Sequence, residues 1–235
     1  MAELASYRLD EGVATIAMDD GKVNALSIEM LRAVLGCLDR AEEDGAVVVL
    51  TGREGYFSAG FDLKVFSERP EEIVEMLTLG ARLSERILTF PTPVLVACGG
   101  HAIAAGTFAA LAADVRIGVE GDFKLGLNEV QIGLTVPQYV VELARQRLTP
   151  AEFNRSLLTA HSYSPKEALV AGFLDQIVAP DELPEVARET ASELAGLNMD
   201  AHAATKERVR GEAVTAFRAA VETELEARLG HTSEP

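Results

Sequence analysis

Apolar positions follow two spacings in turn along the first 140 residues, and these spacings predict strands that alternate with helices. Four short apolar runs are predicted strands: Val13–Met18, Ala46–Thr51, Val94–Ala97 and Val115–Val119. Longer stretches with helical spacing lie between them and predict helices after Ser27, over Glu71–Leu88 and over Gly106–Ala113. Strands that alternate with helices are typical of an α/β fold with right-handed crossovers.

Beyond about residue 140 the pattern becomes mainly helical. Thr149–Glu152 and Ser164–Glu167 each read as a capping box with proline at the first helical position, and Gly172 is the predicted stop of the second helix. A short strand at Asp175–Val178 and helices over 181–197 and 200–229 follow. We therefore expect an α/β core at 1–140 and a helical C-terminal region at 141–235.

Composition suits one domain with a sizeable core. The chain has 235 residues, of which 48% are hydrophobic and 25% are charged. No apolar run approaches the roughly 20 residues that cross a bilayer, and we expect no signal peptide because the first residues lack a basic and then apolar segment. Cys37 and Cys98 are isolated, which fits a reduced compartment, and we expect a cytoplasmic protein without a metal site.

The charge balance argues against nucleic acid and anionic membranes as partners. Lysines and arginines number 21 against 37 acidic residues, so the net charge is 21 − 37 = −16. The basic run Lys206–Arg210 is predicted to be a solvated helix face. Asp114 and Arg116 are expected to pair and stabilise the fold.

Two glycine-containing turns follow predicted buried strands. Tyr56–Leu63 reads YFSAGFDL, and Gly99–Thr107 reads GGHAIAAGT and opens a short helix. Either turn alone is typical of ordinary strand-to-helix connections. Two turns could direct two backbone N–H groups at one oxygen, which is the geometry of an oxyanion hole. Neither turn matches a dinucleotide-binding or P-loop motif.

One carboxylate stands among apolar residues in Gly126–Leu134, which reads GLNEVQIGL. Its neighbours Val130, Ile132 and Leu134 predict a buried segment, and an ionised carboxylate is rarely buried without a partner. From the residues alone, Glu129 is best interpreted as a helix-start or salt-bridge carboxylate.

Taken together, these motifs resemble the crotonase (enoyl-CoA hydratase/isomerase) superfamily. The resemblance runs from about Val13 to Arg210 and rests on several motifs in the family's order and spacing: NALS, VVVLTG, FSAGFDL, PTPVLVACGGHAIAAG, ADVRIG and GLNEVQIGL. It implies a crotonase-like spiral of ββα units, a helical C-terminal trimerisation region, a homotrimer or hexamer, and acyl-CoA thioester substrates. It implies no cofactor, since coenzyme A is part of the substrate.

The resemblance also assigns residues, position by position. It implies that Phe61 and Ala105 donate the two oxyanion N–H groups. The family usually has glycine at the second position, and alanine offers the same N–H if its φ is negative. Asp62 is expected to cap the following turn rather than act in catalysis. The remaining expected substrate contacts lie in the same turns or in the helix after them: Ser58, Ala59, Gly60, Asp62, Leu63, Gly106 and Phe108.

The family's hydratases carry two catalytic glutamates, and this sequence retains one. The first position is Phe108, which cannot transfer a proton, and the second is Glu129. The family's Δ3,Δ2-enoyl-CoA isomerases show the same single glutamate in a GLNE-x-Q-[IL]-G context. The resemblance thus implies that Glu129 is the base of an enoyl-CoA isomerase. The alternatives are an enoyl-CoA hydratase and an acyl-CoA-binding protein without turnover.

Overall fold

The computed structural model describes the backbone of residues 3–231 and the side chains of 3–225. Within that range the strands are β1 (Ala5–Asp10), β2 (Val13–Met18), β3 (Ala25–Leu26), β4 (Val47–Thr51), β5 (Gly55–Ser58), β6 (Gly60–Phe61), β7 (Val94–Cys98), β8 (Gly100–Ile103), β9 (Val115–Val119), β10 (Leu125–Gly126) and β11 (Gln176–Val178). The helices are α1 (Ile28–Glu43), α2 (Leu63–Glu68), α3 (Ile73–Thr89), α4 (Ala105–Ala112), α5 (Gln138–Arg147), α6 (Pro150–Thr159), α7 (Pro165–Ala171), α8 (Leu183–Ala195) and α9 (Met199–His231). Short 3₁₀ turns lie at Pro70–Glu72 and Val130–Ile132.

Successive strand pairs are shared between two sheets. The larger sheet has the order β1-β2-β4-β7-β9-β11, parallel except for the β1–β2 hairpin, and the smaller one has the order β10-β8-β5. In β4–β5, β7–β8 and β9–β10 the first strand joins the larger sheet and the second joins the smaller one. This arrangement confirms the predicted α/β spiral of ββα units.

Most predicted elements lie where the periodicity placed them. The core strands agree within a residue, and α3 and α4 match the two predicted helices closely. Ser27 caps α1 by accepting a hydrogen bond from the Met30 N–H at 3.2 Å. The short strands of the second sheet and of the β3–β6 pair were missed, because two to four residues rich in glycine carry no readable period.

The two predicted capping boxes have different outcomes. Ser164 forms a complete capping box with Glu167, and Gly172 ends α7 with a φ of 98°. A side chain at Gly172 would also collide with the Arg147 carbonyl. Thr149 precedes α6 but makes no side-chain cap hydrogen bond, so the prediction of a capping box there is wrong.

The basic run at 206–210 is only in part the predicted solvated face: Glu207, Arg208 and Val209 are exposed, but the prediction is wrong for its two ends. Lys206 and Arg210 are only 8% and 9% exposed. Lys206 Nζ donates to the carbonyls of Phe90 and Thr92, and Arg210 donates to the carbonyls that end α3 and α4. Exposed carbonyls at helix C-termini attract cations, so α9 supplies the charges that satisfy two helix ends.

Asp114 and Arg116 do not pair with each other as predicted. Asp114 instead accepts from Lys206 at 2.6 Å and forms an ion pair with Arg210 at 3.0 Å. Arg116 forms its ion pair with Asp175, just before β11. Asp114 lies just before β9, where its carboxylate meets α9, whereas Arg116 lies within β9 beside the segment that leads into β11, so the two residues find different partners.

Candidate active site

The turn after β5 is held by a buried polar network. Ser58 Oγ donates to the Asn24 carbonyl at 2.7 Å and accepts from the Gly60 N–H at 3.1 Å. Asn24 is fully buried, and its amide nitrogen donates to the carbonyls of Met18 and Phe57. These bonds fix the backbone immediately before Phe61.

Two glycines allow this turn to lie directly against the second one. A Cβ built on Gly60 would lie 2.9 Å from Ala104 Cβ and 3.3 Å from the Ala105 nitrogen. A Cβ on Gly106 would lie 2.6 Å from the Ser58 carbonyl oxygen. Side chains at either position would force the turns apart, so glycine is required for their close approach.

Ala104 gives the second turn an unusual backbone. Its φ is 49°, and Ala105 follows as the first residue of α4 with a negative φ. The condition under which alanine can replace glycine at position 105 is therefore met. The first N–H groups of a helix have no acceptor within the helix, so the Ala105 N–H is available at the N-terminus of α4.

Glu129 lies beside these turns and is 5% exposed. The Ala104 N–H donates to the Gly126 carbonyl at 3.0 Å, which ties the second turn to the strand that leads into Glu129. Glu129 Oε2 is buried without a hydrogen-bond partner among the described residues. Burial raises the pKa of Glu129 to about 7, and a hydrogen bond from its own backbone N–H offsets part of that effect.

An apolar cavity of about 410 Å³ joins the three segments, and we call it the acyl cavity. Its lining residues are Ala59, Phe61, Leu63, Phe66, Ile73, Leu77, Ala104, Phe108, Asn128, Glu129, Ile132, Gly133, Leu134, Thr135 and Pro137. Glu129 is the one ionisable side chain among them. A buried carboxylate in an apolar cleft, next to two backbone turns, is an arrangement suited to proton transfer at a carbon atom.

The profile described as "Enoyl-CoA hydratase/isomerase" matches residues 8–233. The chain belongs to the enoyl-CoA hydratase/isomerase family.

Proteins similar to this chain include some named as hydratases and some named as isomerases. A "Putative enoyl-CoA hydratase" of Thermus thermophilus is 36% identical over 78% of this chain and 74% of its own length. An enoyl-CoA hydratase/isomerase family protein from Pseudomonas syringae has a solved structure that is 45% identical, covers 95% of this chain and 97% of its own, and superposes with a TM-score of 0.92. A structure described as the apo form of a Mycobacterium tuberculosis enoyl-CoA isomerase is 40% identical, covers 97% and 99%, and also has a TM-score of 0.92. The chain is thus an enzyme of the crotonase superfamily, and these names do not separate the two reactions.

The predicted site residues of this hydratase/isomerase family member fall into two groups. Ala59, Phe61, Leu63, Phe108 and Glu129 line the acyl cavity. The others lie behind or beside its wall and support it: Ser58, Gly60, Ala105 and Gly106 are buried, and Asp62 accepts from the Lys64 N–H at 3.0 Å as the cap of α2. Direct contact of this second group with substrate stays a prediction.

Phe108 belongs to a row of aromatic rings that runs from the wall of the cavity to α9. Its ring packs edge-on against Phe61 at 6.2 Å and Tyr139 at 6.1 Å, and Tyr139 in turn packs on Phe217 of α9 at 5.2 Å. The position that holds a glutamate in the family's hydratases is therefore part of an apolar wall here.

The segment after Glu129 is exposed, and the prediction that it is buried is wrong. Val130, Ile132 and Leu134 are 46%, 47% and 43% exposed. The 3₁₀ turn at Val130–Ile132 carries them to the surface, and Ile132 and Leu134 line the opening of the acyl cavity. Their apolar character fits a cavity wall as well as a core, and periodicity does not distinguish the two.

Sequence reasoning missed part of the cavity. Asn128 Oδ1 is buried without a hydrogen-bond partner in the described part of the chain, so a second polar atom sits beside Glu129. Ile73 and Leu77 were assigned only to the apolar face of a helix, although their spacing of four residues puts both on one side of α3. No sequence pattern indicated that Phe66, Thr135 and Pro137 line the cavity.

The described residues lack two features. They contain no cluster of three or more histidine, cysteine or acidic side chains placed to hold a metal ion. None of their helices combines the length and the apolar character that a membrane-crossing segment needs.

Proposed function

We propose that this enzyme moves a β,γ double bond of an acyl-CoA thioester to the α,β position, with Glu129 as the base. The observation that carries the proposal is the state of Glu129, a buried carboxylate that faces an apolar cavity and has an unpartnered oxygen among the described residues. An unpaired buried carboxylate costs stability, and it is expected where a reaction uses it.

The proposed reaction uses one carboxylate twice. Glu129 takes the proton from C2, and the electron pair moves into the thioester to leave a dienolate. The resulting carboxylic acid then returns the proton to C4, and the double bond ends between C2 and C3. A pKa of about 7 suits both proton transfers. Near neutral pH the carboxylate is a stronger base than an ordinary glutamate, and the protonated form can still give its proton back.

The backbone turns would stabilise the dienolate oxygen. We assign the two donors to the N–H groups of Phe61 and Ala105, on turns that lie in van der Waals contact at Gly60 and Ala104. Loss of one such donor typically costs about 2.7–4 kcal/mol of transition-state stabilisation. The donors need no side chain, which fits the apolar composition of the cavity.

Phe108 is the reason to place isomerisation before hydration. Addition of water to the double bond needs a water molecule held and activated by two groups, and Phe108 leaves one of these positions apolar. Hydration stays the second candidate, because relatives such as the Thermus protein bear the hydratase name. Rapid conversion of a 2-enoyl-CoA into a 3-hydroxyacyl-CoA would favour it.

Glu129→Gln tests the proposal. The amide keeps the shape and removes the basic oxygen, so we expect isomerisation of 3-enoyl-CoA to fall by about 10⁴-fold, the upper end for a positioned base. Acyl-CoA affinity should be retained. The measurements are the ultraviolet absorbance of the conjugated product and exchange of the C2 proton in heavy water.

Glu54→Gln is the matched control, because Glu54 is an exposed glutamate in a loop. It should isomerise like the unmodified enzyme. Undiminished turnover by Glu129→Gln would show that the carboxylate is structural and that the base lies elsewhere.

We also infer a homotrimer or a hexamer of this chain in the cytoplasm. The inference is supported by the sequence resemblance and by the two isolated, buried cysteines. Light scattering coupled to gel filtration measures the assembly directly, and a monomeric mass would contradict it.

A further inference from the structure

One face of α3 borders two cavities in succession. Ile73, Leu77 and Ala81 are spaced by four residues and so follow one another along that face. Ile73 and Leu77 line the acyl cavity, whereas Leu77 and Ala81 line a smaller one. Leu77 is half-buried and stands between the two spaces.

The smaller space, which we call the α9 cavity, has room for about 20 Å³, close to one water molecule. Pro137 borders both cavities, as Leu77 does. The remaining lining residues of the α9 cavity are Ala81, Tyr139, Val221, Glu224 and Leu225. Leu77 and Pro137 together therefore separate the acyl cavity from a largely apolar space beneath α9.

The roof of the α9 cavity is fixed in place. Glu224 Oε1 accepts from the Gln138 N–H at 2.5 Å, at the first residue of α5. Helix N-termini attract anions, so this carboxylate joins α9 to α5 and is not free to enter the cavity. About two helical turns before Glu224 in α9, the Phe217 ring packs on Tyr139.

We propose that Leu77 sets the length of acyl chain that this enzyme accepts. A smaller side chain at this position would let a longer acyl chain continue into the α9 cavity. The step from Leu77 to Ala81 is one helical turn, about 6 Å along α3, which corresponds to a few carbon atoms of an extended chain. With leucine in place the space beyond is closed. The ligand class, a fatty acyl-CoA, rests on the proposed function.

Leu77→Ala tests the inference by joining the two cavities. The affinities of saturated hexanoyl-, octanoyl-, decanoyl- and dodecanoyl-CoA are measured by calorimetry, and kcat/KM is measured for the matching 3-enoyl-CoA thioesters. We expect the preference for decanoyl over hexanoyl to rise by about tenfold or more, since each buried methylene in an apolar pocket discriminates at that level.

Two further variants separate the partition from a general loss of packing. Leu134→Ala also removes a leucine from the acyl cavity but does not border the α9 cavity, so it should weaken all chain lengths alike. Adding Ala81→Val to Leu77→Ala refills the α9 cavity and should return the preference to shorter chains.

The outcomes distinguish this inference from the proposed function. Circular dichroism first confirms that each variant is folded. An unchanged chain-length preference in Leu77→Ala, or the same change in Leu134→Ala, would overturn the role of Leu77. The binding measurements need no turnover, so they remain decisive even if the enzyme proves to be a hydratase.

Discussion

At the scale of single residues, the chemistry depends on how one carboxylate is buried. Glu129 is held where water and hydrogen-bond donors are scarce, and burial is the main cause of its raised pKa. Phe108, whose ring lines the same cavity, adds to that apolar surrounding. A base with this pKa is poised to accept and return a proton near neutral pH.

The pKa of Glu129 predicts opposite pH effects on activity and on stability. Isomerisation needs the carboxylate, so kcat/KM should rise as pH increases and level off above about 7. The folded state binds the proton more tightly than the unfolded state, so stability should fall as pH rises from about 4.5 to about 7, by roughly 3 kcal/mol.

Measurements of kcat/KM and of urea denaturation across pH 4 to 9 check both parts. Glu129→Gln should lack this part of the stability change, and its advantage over the unmodified protein should be greatest above pH 7. A parallel pH dependence of stability in both proteins would contradict the assignment.

At the scale of secondary-structure elements, local signals work where the partner is near in sequence. Ser164 and Glu167 are three residues apart and cap α7 as predicted. Thr149 has the same local motif, yet its side chain makes no cap hydrogen bond. The motif therefore predicts a helix start reliably, but not the bonds that stabilise it.

This difference gives a matched pair of substitutions. Ser164→Ala should lower the free energy of unfolding by about 1 kcal/mol, because the Glu167 N–H loses its acceptor. Thr149→Ala should have a clearly smaller effect, since no cap bond is lost. Chemical denaturation of both variants checks the difference, and equal losses would count against it.

The sequence predicted the α/β core and singled out Glu129, which lines the cavity, but it did not predict the partners of buried charges. Lys206 donates to the carbonyl of Phe90, which lies 116 residues away. A run such as KERVR has the charge of a solvated face, and only the tertiary fold shows that its first and last residues donate to carbonyls at helix ends. The exposure of the turn after Glu129 was not predicted for a related reason. Apolar residues that line an open cavity have the same sequence pattern as residues of the core.

At the scale of the whole molecule, Asp114 joins the end of the α/β core to the C-terminal helix. It pairs with both Lys206 and Arg210, and those cations reach the C-terminal carbonyls of α3 and α4. The helix that begins with Ala105 is therefore anchored at its far end by α9.

Asp114→Asn should destabilise the protein by about 3–5 kcal/mol, because it leaves two buried cations without their counter-charge. Asp39→Asn is the control: Asp39 pairs with Arg86 on the surface, and its loss should cost about 1 kcal/mol or less. Urea denaturation measures both. Similar costs for the two variants would show that the buried pairing contributes little.

The anchoring of α3 and α4 by α9 has a consequence for biosynthesis. Lys206 and Arg210 leave the ribosome about a hundred residues after the helices whose ends they complete. Until they emerge, the nascent chain carries helix ends without their cations and aromatic residues without the cover of Phe217. Final closure of the core therefore waits for the synthesis of α9, and a ribosome stalled before α9 should display a protease-sensitive chain.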